Sequence, residues 1–151
     1  MKTKLKEAYM KTAETFAELS HARRLHVGAI VVKDDRIISI GYNGMPAGWD
    51  NNCEYEAGLN PLGTELGEKV LKTRPEVLHA ETNAIAKLAR SNESGLDGDL
   101  FVTHAPCLDC AKLIYQSGIR RVFYRTAYRD SAGVDFLKAS NIIVEQMEKD
   151  A

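Results

Sequence analysis

Two short motifs near the middle of the chain constrain its fold most, because their side chains must meet to form one site. The first motif is His79-Ala80-Glu81, and the second is Pro106-Cys107-Leu108-Asp109-Cys110. Each motif opens a stretch with the apolar spacing of a helix, over residues 80–88 and 107–116. The fold must therefore bring the starts of two helices together.

The second helical stretch lies between two short apolar runs, Leu100–Thr103 and Arg121–Tyr124, which are typical of buried strands. A strand, a helix and a strand in this order predict a parallel crossover. The other predicted elements are a helix at Lys4–Ser20, strands at Val27–Val32 and Ile37–Ile40 joined by the turn Lys33–Arg36, a helix at Val134–Ala139 and a strand at Ile142–Val144. We expect an α/β fold, a three-layer αβα sandwich with a central mixed five-stranded sheet, in one domain over residues 1–151.

Residues 41–52 are rich in turn formers, and no regular period follows them until about Gly67. We expect the backbone to leave the sheet at Gly41 and to continue as a long irregular segment. Loops of that length in a compact domain are commonly functional.

The charge balance indicates a small substrate. A net charge of -1 and a pI near 6.4 lack the basic surface of proteins that bind long nucleic acid. The first residues carry charges throughout, and no stretch approaches the length of a membrane span. We therefore expect a cytoplasmic protein with no membrane partner and no long nucleic-acid partner.

The two motifs contain the ligands of a catalytic zinc ion. Cys107 and Cys110 are three residues apart, which places both sulfurs on one side of a first helical turn. The positive end of a helix favours thiolate, the form that binds zinc, and His79 would supply the third ligand. Three protein ligands leave the fourth position open to water, which distinguishes a catalytic site from a structural one. Glu81 would then move protons between water and substrate.

Other interpretations of the same residues remain. A Cys-x-x-Cys pair alone is often a structural zinc site or a redox pair, and His-Ala-Glu alone is usually a helix start. A closed structural site would need a fourth ligand, for which Cys53 and His104 are the candidates. We expect His104 to end its strand beside the site without binding metal.

His-x-Glu followed by Pro-Cys-x-x-Cys matches the signature of zinc nucleobase deaminases. From Ser20 to about Ile143 the chain resembles the cytidine deaminase superfamily, and it resembles the deoxycytidylate (dCMP) deaminases most. The matching blocks are residues 27–32, Gly41-Tyr-Asn-Gly-Met-Pro-Ala-Gly48, residues 79–85, residues 103–114 and Gln116-Ser-Gly-Ile119. The resemblance implies a cytidine deaminase-like fold and zinc-dependent hydrolysis of dCMP to dUMP and ammonia, which supplies dUMP for thymidylate synthesis.

The resemblance also assigns substrate contacts. Asn43 corresponds to an asparagine that contacts substrate in the family, and an amide can both donate and accept hydrogen bonds. Arg24 and Arg129 lie where the family places arginines that bind phosphate, with Arg23 as a rival to Arg24. From their positions near the zinc motifs, Ala80, Thr103 and Ala105 are expected to line the pocket. Trp49 and Tyr115 are better explained by loop anchoring and by helix packing than by substrate stacking.

Regulation and assembly are implied by resemblance alone. Members of the family are commonly homohexamers activated by dCTP and inhibited by dTTP, and the loop containing Gly41, Tyr42 and Gly44 would hold the regulatory nucleotide. Some relatives carry a cysteine where this chain has Ala22, and that cysteine joins a second, structural zinc site. We therefore expect one zinc ion per chain and a free thiol at Cys53.

Two other functions fit the zinc motifs. One is a related deaminase that acts on cytosine, guanine, a riboflavin precursor or adenosine in transfer RNA. The other is a zinc-binding module without catalysis, which would have no use for a carboxylate at Glu81 beside an open metal position.

Overall fold

A computed structural model describes residues 1–59 and 65–149. Their helices and strands are α1 (Thr3–Ala17), β1 (Gly28–Lys33), β2 (Arg36–Tyr42), β3 (Glu54–Leu59), β4 (Glu65–Thr73), α2 (Ala80–Ala89), β5 (Asp99–His104), α3 (Leu108–Gln116), β6 (Arg121–Thr126), α4 (Ala132–Ala139) and β7 (Ile143–Gln146). The elements predicted from the sequence agree with these bounds to within about three residues. No helix in the described part of the chain combines the length and apolar character needed to cross a membrane.

Five strands form one mixed sheet in the order β2-β1-β5-β6-β7. β1 runs antiparallel to both β2 and β5, whereas β5, β6 and β7 are parallel to one another. The predicted crossover through α3 is present between β5 and β6, and the predicted mixed five-stranded sheet is confirmed. Two aspartates with positive φ, Asp34 at 51° and Asp35 at 57°, form the tight turn between β1 and β2.

Alternation along the strands divides the core between the two faces of the sheet. Ile30, Phe101 and Phe123 point towards α1, where Met10 and Ala13 are fully buried. The neighbouring strand residues point to the other face, which α2, α3 and α4 cover. The core of this second face consists of Ala29, Val31, Ala84, Leu88, Leu100, Val102, Ala111, Ile114, Val122 and Leu137. The predicted three-layer αβα sandwich is therefore confirmed.

The prediction of an irregular segment up to about Gly67 was wrong for the part that the structure describes. β3 and β4 form a separate antiparallel hairpin, in which Tyr55 faces Lys72 and Ala57 faces Val70. Tyr55 and Val70 are exposed, so the side chains described in these strands do not form the buried apolar face by which a strand is recognised in a sequence. The section at residues 60–64 lies outside the described residues.

The backbone also leaves the central sheet later than predicted. Gly41 and Tyr42 belong to β2 and pair with Ala29 and Gly28 of β1. A Cβ atom at Gly41 would collide with the backbone of Ala80 and Ala84, so this glycine allows α2 to lie directly against β2. The position of α2 matters because the helix begins beside His79.

Candidate metal centre and its pocket

The three predicted metal ligands lie at the starts of two neighbouring helices. His79 is the residue that precedes α2, Cys107 is the residue that precedes α3, and Cys110 lies in the first turn of α3. The end of β5 leads directly to Cys107, and the N–H of Ala105 on this path donates to the carbonyl of Thr126 over 2.8 Å. The starts of both helices, with their positive dipole ends, thus lie at one site.

The distances between the ligand atoms fit a zinc ion. Nδ1 of His79 lies 3.2 Å from Sγ of Cys110 and 3.6 Å from Sγ of Cys107. Tetrahedral zinc, with bonds of about 2.0–2.1 Å to nitrogen and about 2.3 Å to sulfur, would separate a nitrogen and a sulfur ligand by about 3.6 Å. Among the described residues, no fourth histidine, cysteine or acidic side chain joins these three. The alternatives that used Cys53 or His104 to close the site are therefore not supported.

The electrostatics of the two thiols favour a thiolate. The pKa of Cys107 is lowered to about 4, first because Cys110 donates a hydrogen bond to its sulfur and then because His79 does so. The pKa of Cys110 is raised, because its thiol donates to Cys107 and is buried. The hydrogen bond to Cys107 raises the pKa of His79. A metal cation would replace the protons that these three groups share.

Glu81 lies in the first turn of α2 and is almost fully buried, with 4% of its surface exposed. Burial raises the pKa of its carboxyl group above the ordinary value, which favours the protonated form. Its charge also interacts with those of His79 and Cys107. The structure thus places a carboxyl group suited to proton transfer beside the three metal ligands.

A cavity of about 390 Å³ opens onto these residues. Its volume lies within the usual range of small-molecule sites. The lining residues are Ala22, Arg24, Leu25, Val27, Asn43, Glu54, Thr73, Val77, His79, Ala80, Glu81, His104, Ala105, Cys107 and Tyr128. The cavity therefore combines apolar walls with a few polar groups and reaches the metal ligands.

Most of the substrate contacts predicted from the sequence lie on this cavity. Ala80 and Ala105 line it near the metal ligands, as does Asn43. The amide of Asn43 is fixed in place, because Oδ1 accepts from the N–H of Val27 over 2.9 Å and Nδ2 donates to the carbonyl of Leu25 over 2.7 Å. The role of these residues towards a substrate stays a prediction.

The structure distinguishes the two neighbouring arginines between which the sequence left a choice. Arg24 lines the cavity, and its guanidinium group donates to Oγ1 of Thr73 over 3.1 Å. Arg23 is absent from the lining and donates to Oδ1 of Asn52 and to the carbonyl of Glu54. Of the two, Arg24 is therefore the one placed to meet a bound anion.

Several other predicted residues are placed away from the cavity lining. Thr103 is buried in β5 and accepts the N–H of Gly28 over 3.2 Å. Arg129 is exposed beyond β6, and its neighbour Tyr128 lines the cavity instead. Gly41 and Tyr42 lie in β2, and Gly44 forms a backbone bridge with Leu78. Trp49 is exposed outside the lining, and Tyr115 packs edge-on against Phe136, which agrees with the packing interpretation for Tyr115.

Sequence reasoning missed Glu54 and Thr73, which belong to the hairpin. Glu54 is 1% exposed although it is charged, and Thr73 pairs with it across β3 and β4. Their burial beside the cavity could not be inferred, since the segment itself was not recognised as a pair of strands.

The comparison with protein families gives one match that spans most of the chain. Residues 3–126 fit the family model described as the cytidine and deoxycytidylate deaminase zinc-binding region. The chain belongs to this family. The resemblance inferred from the sequence is thereby confirmed, and the chain carries a zinc-binding deaminase domain of the cytidine and deoxycytidylate deaminase type.

Relatives of this deaminase domain include enzymes with an assigned substrate. Deoxycytidylate deaminase of Enterobacteria phage T4 is 35% identical over 130 residues, which cover 68% of this chain and 67% of the phage protein. ComE operon protein 2 of Bacillus subtilis is 33% identical over 143 residues, covering 94% of this chain and 70% of that protein. The crystal structure of dCMP deaminase from the cyanophage S-TIM5, in complex with dCMP and dUMP, matches with a TM-score of 0.85 and 46% identity, covering 97% of this chain and 99% of the phage chain.

Proposed function

We propose that this deaminase hydrolyses dCMP to dUMP and ammonia with one zinc ion per chain. The observation that carries the proposal is the cavity, because its wall includes the metal ligands His79 and Cys107, the buried carboxyl group of Glu81 and the guanidinium group of Arg24. The cyanophage relative whose structure contains dCMP and dUMP supports the choice of substrate.

His79, Cys107 and Cys110 would hold the zinc ion, which when bound lowers the pKa of a water molecule. Glu81 would accept a proton from the attacking water and deliver it to the ring nitrogen next to the amino carbon. It would then take the remaining proton from the hydroxyl group added to the ring and pass it to the amino group, so that the C–N bond breaks, the carbonyl group forms, and water and dCMP yield dUMP and ammonia. The raised pKa of Glu81 suits this exchange, since the carboxyl group must both bind and release a proton.

The other end of the substrate is a phosphate dianion, for which Arg24 offers a planar array of donors. The apolar side chains of Leu25, Val27 and Val77 on the cavity wall would cover the base and sugar. Asn43 would contact the sugar or the base with the donor and acceptor capacity that its two backbone hydrogen bonds leave unused.

A comparison of substrates tests the proposed function. We expect the purified protein to release ammonia from dCMP with a kcat/KM far above those for cytidine, cytosine and dCTP, because only dCMP combines the base with a monophosphate. The measurement is the rate of conversion at matched concentrations. A preference for cytosine would indicate a different deaminase, and zinc binding without turnover of any of the four would indicate a module without catalysis.

Replacing Arg24 by alanine should raise the KM for dCMP by about tenfold or more, because a hydrogen bond to a charged group is lost. The zinc content should not change. Arg129→Ala is the matched comparison, since it removes the same charge from an exposed position outside the cavity lining. A larger rise in KM for Arg129→Ala than for Arg24→Ala would reassign the phosphate contact.

We further propose that the activity supplies dUMP for thymidylate synthesis in the cytoplasm, and that the protein is a homohexamer activated by dCTP and inhibited by dTTP. The single zinc ion is supported by the side chain of Ala22, which offers no metal ligand, and by Cys53, a buried free thiol that is not part of the metal group found among the described residues. Of the residues assigned to the regulatory loop, Gly44 is the one that lies beyond the end of β2. Binding of dCTP without any change in the dCMP saturation curve would contradict the regulatory proposal.

A further inference from the structure

Glu54 is a buried carboxylate on the wall of a cavity that we propose binds an anion. It is 1% exposed and begins the first strand of the hairpin. A bare negative charge in this place would repel a phosphate group, and burying it without partners would be costly. The contacts of Glu54 show which groups compensate its negative charge.

One oxygen of Glu54 organises the chain segment that carries Arg24. Oε2 accepts the N–H of Arg23 over 2.8 Å and the N–H of Arg24 over 2.9 Å. Two consecutive backbone N–H groups on one carboxylate oxygen fix the local path of the backbone, so the direction in which Arg24 leaves the main chain depends on Glu54.

The other oxygen is covered by Arg23. Oε1 has no hydrogen-bond partner within residues 1–59 and 65–149 and lies 3.5 Å from Nε of Arg23, whose guanidinium group also donates to the carbonyl of Glu54. The charge of Arg23 therefore offsets that of Glu54 and leaves the guanidinium group of Arg24 available to a ligand. Across the hairpin, Thr73 pairs with Glu54 and accepts the hydrogen bond from the side chain of Arg24.

We propose that Glu54 is a positioning residue for phosphate recognition and acts through Arg24. This inference rests on the proposed function. The β3–β4 hairpin holds Arg24 by its backbone through Glu54 and by its side chain through Thr73, so that the guanidinium group reaches the phosphate of dCMP without having to be ordered by the substrate. Preorganisation of this kind improves binding because less conformational freedom is lost when the ligand enters.

Replacement of Glu54 by alanine tests the inference through the steady-state kinetics of the zinc-loaded enzyme. We expect Glu54→Ala to raise the KM for dCMP about tenfold, as the loss of hydrogen bonds to a charged group would do, while kcat and zinc content stay near their original values. Glu54→Gln keeps a side-chain oxygen for the two N–H groups and should recover part of the loss. Glu76→Ala, at an exposed glutamate beyond the hairpin, is the control and should leave KM unchanged.

Two further measurements separate a role towards the phosphate from a general loss of structure. The inhibition constant of dUMP should rise together with the KM, whereas that of deoxyuridine, which has no phosphate, should not change. The double variant Glu54→Ala/Arg24→Ala should have a KM no higher than that of Arg24→Ala alone. If Glu54 acts through Arg24, the free-energy effects of the two substitutions are not additive. An equal rise for dUMP and deoxyuridine, or additive effects in the double variant, would overturn the inference.

The outcomes of the two proposals can be distinguished. If the unaltered enzyme shows no preference for dCMP, the proposed function fails whatever Glu54 does. If it prefers dCMP and Glu54→Ala leaves the KM unchanged, only the role of Glu54 fails. Should Glu54→Ala not fold, Glu54→Gln decides by the same criteria, with a smaller rise in KM and in the dUMP inhibition constant expected.

Discussion

Replacing Glu81 by glutamine should lower the kcat for dCMP by about 10³-fold, within the range usually found for general acid–base groups. Glutamine has nearly the same shape but cannot accept and return a proton. Because Glu81 is buried and is not one of the three metal ligands, we expect the variant to fold and to keep its zinc ion. The measurements are the rate of ammonia release and the zinc content by mass spectrometry of the native protein.

Glu76→Gln provides the control for this experiment, since the same chemical change at an exposed position should leave the rate unchanged. Turnover by Glu81→Gln within a few fold of the original rate would refute the assignment of Glu81 as the proton-transfer group. Loss of zinc from the variant would instead assign Glu81 a role in holding the metal.

Replacing Cys110 by alanine should remove both zinc and activity. Cys110 is buried at the start of α3, and its sulfur lies 3.2 Å from Nδ1 of His79, so two ligands alone would remain. We expect the purified variant to contain little zinc and to show no measurable deamination of dCMP. Zinc content per chain and initial rate are the measurements.

Cys53→Ala is the matched control, because Cys53 is also a buried free thiol but is not part of the three-ligand group. It should keep one zinc ion and its activity. A chelator should lower the Tm of Cys53→Ala by about 5–10 °C, as expected when a ligand present at about 100 times its Kd is removed, and should leave that of Cys110→Ala unchanged. Retention of zinc by Cys110→Ala would show that another residue completes the site.

The grouping of His79, Cys107 and Cys110 with Glu81 could be predicted because each motif is local in sequence. His79 and Glu81 are two residues apart, and Cys107 and Cys110 are three apart, so one helix start fixes each pair. The apolar runs of β1, β5 and β6 were equally clear, since these three strands are buried on both faces. These features depend on residues that are close together in the sequence, so they can be recognised without the structure.

The far side of the cavity could not be predicted in the same way. The choice between Arg23 and Arg24 depends on which side chain the buried carboxylate of Glu54 engages, and Glu54 lies 30 residues further along the chain from Arg24. The hairpin that carries Glu54 has exposed apolar residues and stands outside the central sheet, so it lacks the pattern of a core strand. Likewise, nothing in the sequence shows that Tyr128 and not Arg129 faces the cavity.

The two ends of the cavity differ in what supports them. The metal ligands begin helices that pack on the central sheet, whereas Arg24, Glu54 and Thr73 belong to a connecting segment and to a hairpin outside that sheet. Substitutions in the hairpin therefore need not displace the predicted metal ligands or Glu81. A lineage with this architecture can exchange one substrate for another in small, viable steps while its reaction chemistry is inherited unchanged.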